Sequence, residues 1–252
     1  MRNIVFGAVL PRDRRPRFLM SVAASFLIVA PHAIAQAPTN AGPTRQDMQV
    51  VKSAADARKS IDVAAIQQPL MRITAAMTNA AVADTRAYDA ELDATGVEKI
   101  LTLEGLTPGS PVLDHCDKIS FMVERANAMG GRYADYIALA RKQGEIEIAA
   151  HQLQPIELAG FLDGMAKQRT GFEQRWAATA GLAREAAALC TVLARRHWRV
   201  GPSDVLEIEE PDLTEAQRLT ESVQQAAQHL VALDQARNEE AKQQMEKLPS
   251  GR

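Results

Sequence analysis

Apolar residues recur at alternating steps of three and four along two long stretches of the chain, the spacing of one face of an α-helix. In the first stretch, running from Asp114 to Gln143, the face is Cys116, Ile119, Met122, Ala126, Met129, Tyr133, Tyr136 and Ala140. In the second, from Leu158 to His197, it is Phe172, Trp176, Thr179, Ala183, Ala186, Cys190 and Leu193. Each face carries one cysteine. A turn at Leu153-Gln154-Pro155 lies midway between Cys116 and Cys190, so an antiparallel hairpin folding there sets the two cysteines level at its open end.

Weaker stripes flank this pair. Val50, Val51, Ala54, Ala57, Ile61 and Ala64 or Ala65 trace a modest face from Gln46 to Gln68, which Pro69 is expected to end or kink. Leu70, Ile73, Met77, Ala80 or Ala81, Tyr88 and Leu92 follow, interrupted by Asp84, and Gly96 stands in the C-cap position. Val97 to Leu106 reads as one short helix across an end of a bundle, before the break at Thr107-Pro108-Gly109-Ser110-Pro111. Asp114 with Asp117, and later Asp212 with Glu215, resemble capping boxes. After Asp212, Ala216, Leu219, Val223, Ala226, Leu230 and Leu233 give a last stripe, which fades past Asp234 into a solvated Arg237, Glu240 and Gln244.

Glycines complicate the hairpin. Gly130-Gly131, at about 1 kcal/mol each against alanine, mark a close helix approach or a kink. Arg141-Lys142-Gln143-Gly144 has the form of a helix stop, and Glu145-Ile146-Glu147-Ile148 then alternates with period two. Arms of equal length nonetheless need residues 145–153 to prolong the first arm, and a kinked continuation is expected there. In the second arm Pro155 suits the first turn, a break before Thr170 is open, and Arg195, Arg196 and His197 suit the last turn ahead of Val200-Gly201-Pro202.

Composition fits this helical reading: aromatics are only 4%, and period-two runs of β-branched residues are confined to fragments. The expected fold is all-α, a bundle of four to five helices around the central hairpin. The N-terminus changes what the pattern means. Arg12, Arg14, Arg15 and Arg17 precede an apolar run from Phe18 to Ala30, and Ala33-Ile34-Ala35 and Ala35-Gln36-Ala37 offer small-x-small cleavage sites. Residues 1–37 therefore read as a secretory signal peptide cut after Ala35 or Ala37, residues 38–45 as a disordered linker, 46–248 as a single helical domain and 249–252 as a frayed tail. Of the chain's 29 basic and 31 acidic residues, the first 37 hold five arginines and Asp13. The mature chain thus keeps 24 against 30, a net charge of −6 that argues against a nucleic-acid partner. Export to the periplasm or beyond also makes a Cys116–Cys190 disulfide the expected state of the two thiols.

Candidate chemistry is thin. Asp114-His115-Cys116-Asp117 and His197 would meet at the open end, but no C-x-x-C or H-x-x-x-H spacing supports zinc, and no metal or cofactor is expected. No G-x-S-x-G, S-x-x-K, H-E-x-x-H or phosphate loop is present. Glu145/Glu147 and Glu207/Glu209/Glu210 are carboxylate sets of the type glycosidases use, more simply read as solvated acids. Met48, Met71, Met77, Met122, Met129 and Met165 suit either a peptide groove or core filling. Trp176 reads as core. Trp198, among Arg195, Arg196 and Arg199, is the candidate interaction surface, or else a cap on the bundle end. The function these observations favour is a non-catalytic exported binding protein, an adaptor, inhibitor or chaperone-like module acting on another envelope protein. A bundle that binds a small ligand or metal is the alternative, and a hydrolase of envelope polymers the third.

Overall fold

The computed structural model describes residues 63–100, 105–106, 110–200 and 206–246. The expectations for the signal peptide, the linker, the stripe from Val50 to Ile61 and the terminal tail fall outside the described residues. Among these, five α-helices form an all-α bundle: α1 (Val63–Thr95), α2 (Cys116–Gly131), α3 (Tyr133–Ala149), α4 (Pro155–Ala194) and α5 (Asp212–Glu246). A two-stranded antiparallel ribbon, β1 (Trp198–Val200) with β2 (Leu206–Ile208), joins α4 to α5.

The central hairpin is α2 and α3 laid against α4, a helix of 40 residues and so about 60 Å long. Both predicted faces are its interface: Ile119, Met122, Ala126, Met129, Tyr133, Tyr136 and Ala140 are buried opposite Phe172, Trp176, Thr179, Ala183, Cys190 and Leu193. The first arm bends once, after Gly131, where Arg132 leaves the helix and the Tyr136 amide donates to its carbonyl at 3.1 Å. Gly130 and Gly131 thus mark a kink. Gly144 does not stop α3. A Cβ there would overlap the Leu158 side chain, so this glycine lets α3 and α4 approach closely, and the helix runs on to Ala149. The period-two fragment is helical, with Glu147 buried and Glu145 exposed.

At the turn, Pro155 occupies the first position of α4 and the Glu157 carboxylate accepts from the Gln154 amide at 2.8 Å. No break occurs before Thr170; with Phe172, Arg175 and Trp176 all buried, packing on both sides carries the helix through. By length and composition α4 could cross a membrane, but half of its most apolar window is buried within the bundle. It ends at Ala194, earlier than expected: Arg196 takes a left-handed conformation, φ 58°, and the chain turns into β1.

Pro69 likewise fails to end a helix. It lies inside α1, where it removes one backbone bond, while Ile66, Leu70 and Ile73 around it are buried and hold the turn. Gly96 closes the element in left-handed geometry, φ 68°, as a C-cap glycine does. Asp84, which interrupts the stripe, is answered by the Tyr136 hydroxyl and Arg132, each at 2.8 Å.

Two cores result. The larger joins α1, α2, α3 and α4 around Tyr88, Tyr133, Tyr136, Phe172 and Trp176. The smaller sits at the open end of the hairpin and is almost wholly aliphatic: Ile100, Leu106, Val112, Leu113, Ile119, Leu189, Val192, Leu193, Ile208, Leu213 and Leu219. Cys116 and Cys190 are bonded there with Cα atoms 5.6 Å apart, as the midpoint arithmetic requires. Val97–Lys99 and Pro111–Asp114 are short 3-10 turns over the same end, and Asp114 therefore does not cap α2, whose N-cap is His115. Of the predicted methionines, Met77, Met122, Met129 and Met165 are core, Met71 is exposed, and Met48 lies outside the described residues.

Candidate functional site

Two places gather polar side chains. The first is the bundle end bearing the predicted surface. Arg195 donates to Asp212 at 2.6 Å and Glu215 at 3.0 Å, and Arg196 donates to Asp114 at 2.9 Å. Arg199 faces Glu207 across the ribbon, 2.7 Å away. Trp198 is half-buried on the aliphatic core and donates its indole N–H to the Leu193 carbonyl at 2.6 Å. The structure thus brings the four predicted residues together, and each is engaged within the chain. Asp212 is not the cap of a capping box; it is the first residue of α5, buried between Arg195 and His197, whose Nδ1 is 2.8 Å from its carboxylate. The Arg195 hydrogen bond, ahead of that from His197, holds the Asp212 carboxyl below the usual range. Among the described residues, no three His, Cys, Asp or Glu side chains are grouped to hold a metal.

The carboxylate sets are dispersed in the same way. Glu147 takes two bonds from Arg72, at 2.9 and 2.6 Å, and one from Gln143 at 2.8 Å, the Arg72 bond holding its carboxyl below the usual range. Gln152 also accepts from Arg72. Glu207 answers Arg199, and Glu210 accepts from Thr214.

The second place is mid-bundle, and the sequence reading passed over it. Arg175 on α4 has 2% of its side chain exposed, and its Nε donates to Asp234 of α5 at 2.8 Å. The guanidinium carbon lies 5.8 Å from the centre of the Trp176 ring, within cation–π range. Trp176 meets the Tyr88 ring of α1 edge-on at 5.1 Å and the Phe172 ring at 6.4 Å. Within this group Arg175 Nη1, Trp176 Nε1, the Tyr88 hydroxyl and Asp89 Oδ1 are buried and have no hydrogen-bond partner. Buried polar atoms are paired as a rule, and each orphan costs about 1–3 kcal/mol. Among the described residues only one further such atom is found, Thr78 Oγ1, so the unpaired groups are concentrated at this level.

Their electrostatics follow from burial. Asp89 is pushed up to about 6, first by desolvation and then by the Asp93 charge, with Arg175 pulling the other way. Desolvation, reinforced by Asp89 and Glu91, lifts the Tyr88 hydroxyl to about 12. Arg237 of α5 is lowered by burial and by repulsion from Arg175, against the attraction of Asp234. The fading end of the last stripe is thus not fully solvated at Arg237, which is half-buried, whereas Asn238, Glu239 and Glu240 are exposed.

α5 packs along α4, whereas α1 packs on α3 and α2 and reaches this level of α4 through the Tyr88 ring against Trp176. A shallow depression of about 280 Å³, lined by Ala227, Gln228, Val231, Ala232 and Gln235, lies along α5 itself and carries no charged side chain. Register was the one signal that would have found Arg175. From the Arg195–Asp212 pair, 20 residues back along α4 and 22 on along α5 bring Arg175 opposite Asp234. No protein-family model, curated protein or solved structure matches this chain.

Proposed function

We propose that the protein acts outside the cytoplasm, in the periplasm or beyond, as a non-catalytic helical binding protein. The observation carrying this reading is the contrast in how polar groups are used. His197, Asp212, Glu147 and Glu207, the raw material of acid–base chemistry, are spent on hydrogen bonds and ion pairs that tie elements together. Four donors and acceptors around Arg175 and Trp176 are instead buried at a cost, with no hydrogen-bond partner. Enzymes pair a nucleophile with its base; a binding site keeps convergent polar groups among apolar walls. The disulfide is compatible with an oxidising compartment.

Between the two forms of this function, an adaptor for another envelope protein and a receptor for a small ligand, the buried position of the unpaired groups favours the ligand. Native mass spectrometry of protein isolated from its own envelope tests both. The expected result is an N-terminus at Gln36 or Pro38, with added non-covalent mass that is lost on unfolding. A full-length chain starting at Met1 in the cytoplasm would overturn export. A bare chain under every gentle extraction would overturn binding.

A further inference from the structure

We propose that Cys116 is a thiol-exchange site: small thiols and disulfides enter and leave the Cys116–Cys190 bond at the Cys116 sulfur alone, and Cys190 resolves them from inside. The two ends of the bond lie in different surroundings. Cys190 has no exposed surface and belongs to the aliphatic core with Val112, Leu113, Ile119, Leu189 and Leu193. Cys116 is only partly buried and packs against that core from its edge. It is the first residue of α2, and His115, Asp117 and Lys118 around it are exposed. Exchange requires a thiolate to reach one sulfur while the other leaves, so access selects which sulfur is attacked. An attack on Cys190 would have to come through the core, whereas Cys116 meets the solvent side.

The reductive step begins when an external thiolate bonds to Cys116 Sγ. The Cys116–Cys190 bond breaks, and Cys190 Sγ leaves with the electron pair. That anion is released among aliphatic side chains, with the Val112 carbonyl oxygen 3.8 Å from the sulfur, a setting that disfavours charge. It therefore returns to Cys116 Sγ and expels the external thiolate, and this intramolecular return outruns a second encounter from solution. The bond heals itself unless a second thiol removes the adduct first. The oxidative step runs the other way. The Cys116 thiolate attacks an external disulfide and expels one thiolate; Cys190 then gives up its proton, attacks Cys116 Sγ and expels the second. Two electrons pass from the cysteines to the external disulfide. Charge does not set this order. Asp114 is paired with Arg196 at 2.9 Å, and Asp117 works against a thiolate at Cys116 while the free amides opening α2 work for one.

Reduction of the intact mature protein by dithiothreitol tests the entry point. The rate should be first order in dithiothreitol and unchanged by urea below the unfolding transition, because no helix has to open. A rate that reaches a plateau, or that climbs with urea before the transition, overturns attack on the folded chain. Glutathione, quenched in acid and mapped by peptide mass, should leave its mixed disulfide on Cys116; an adduct on Cys190 overturns the assignment. The reverse direction is read on the protein reduced by a phosphine, kept below its melt with its helix content checked by circular dichroism. In a short pulse of N-ethylmaleimide, singly modified chains should carry the label on Cys116 at least about tenfold more often than on Cys190, the protection of a thiol buried in a closed core. In concentrated urea the two should label alike. An even split in the folded protein, or an excess on Cys190, overturns the proposal.

Discussion

The disulfide end and the middle of the bundle solve the same problem in opposite ways. At the end, the core is aliphatic, the two arms are bonded through Cys116 and Cys190, and Arg195, Arg196, His197 and Arg199 each have an acidic partner. In the middle, the core is aromatic, a buried arginine is held by a single aspartate, and four polar atoms lack partners. A bundle can carry that local cost only if stability comes from elsewhere. The crosslink supplies it at the far end of the hairpin, where the helices would otherwise splay.

Cutting the crosslink is the strongest test of that contrast. The bond closes a loop with a sequence separation of 74 residues, which chain entropy values at about 4.5 kcal/mol. Reduction, or the Cys116→Ala/Cys190→Ala double variant, should lower the melting temperature by that amount of stability. Below the melt, the near-ultraviolet signal of Trp176 should survive, since its neighbours lie mid-bundle. A loss of that signal in the still-helical protein would show that the middle depends directly on the end.

Trp176→Ala attacks the other region. The side chain is fully buried between Tyr88 and Phe172, and its removal should cost about 4 kcal/mol. Trp198, half-buried at the disulfide end, should cost less on the same substitution, about 2 kcal/mol. Chemical denaturation of both variants gives the comparison. An equal cost would mean that the aliphatic end relies on its aromatic lid as heavily as the middle relies on its core.

The pH dependence separates the regions by sign. Asp89 sits at about 6 in the folded chain against an ordinary value near 4, so folding tightens its hold on a proton. Its contribution to stability is therefore fully present below about pH 4 and is lost as pH rises through about 6. Because the group is only half buried, the loss is discounted to about 1 kcal/mol. Asp89→Asn should raise the melting temperature near pH 8 and leave it unchanged near pH 4. Asp212 at the disulfide end, held low by Arg195 and His197, behaves oppositely: its contribution is present above the ordinary carboxylate range and is lost as pH falls through its lowered value. Melting curves across this range check both, and an Asp89→Asn gain that is the same at every pH would remove the titration from the account.

What could be read from the sequence divides along the same line. Period alone located every buried position from Ile119 to Ala140, and the midpoint between Cys116 and Cys190 located the crosslink, because both depend on spacing that a helix fixes. At Gly144 local propensity reads a stop, but the need for equal arms pointed to a continuation, and α3 does run on to Ala149, with Leu158 packed where a side chain would stand. At Pro69 the expected end of the helix does not occur, because Ile66, Leu70 and Ile73 are buried around it. Arg175 escaped because α4 is buried on more than one side. An arginine beside a core tryptophan scores as the polar flank of a one-sided stripe, and only the pairing register of α4 with α5 shows that this flank is interior. The unpaired atoms were not legible at all, because their state depends on side chains that different helices bring together.

The finest test compares the two ends of the hairpin, where α3 and α4 terminate in the same way. His151 after α3 and Arg196 after α4 both hold positive φ, 55° and 58°, the left-handed position that glycine normally fills. At His151 the cap is a Schellman pair, with the Gln152 amide on the Glu147 carbonyl and the His151 amide on the Ile148 carbonyl, both at 2.9 Å. The His151 side chain is exposed, so His151→Gly should relieve the left-handed penalty, about 1 kcal/mol, without losing a contact. Arg196→Gly relieves the same penalty but also breaks the pair with Asp114, whose partners are both well exposed and worth about 0.5 kcal/mol to each other. The disulfide end should therefore gain about half as much as the turn end. Urea denaturation of the two variants, with Asp114→Asn as a third, measures the difference. If Arg196→Gly gains as much as His151→Gly, the ion pairs that distinguish the disulfide end contribute nothing on its surface, and the crosslink with its aliphatic core carries that end alone.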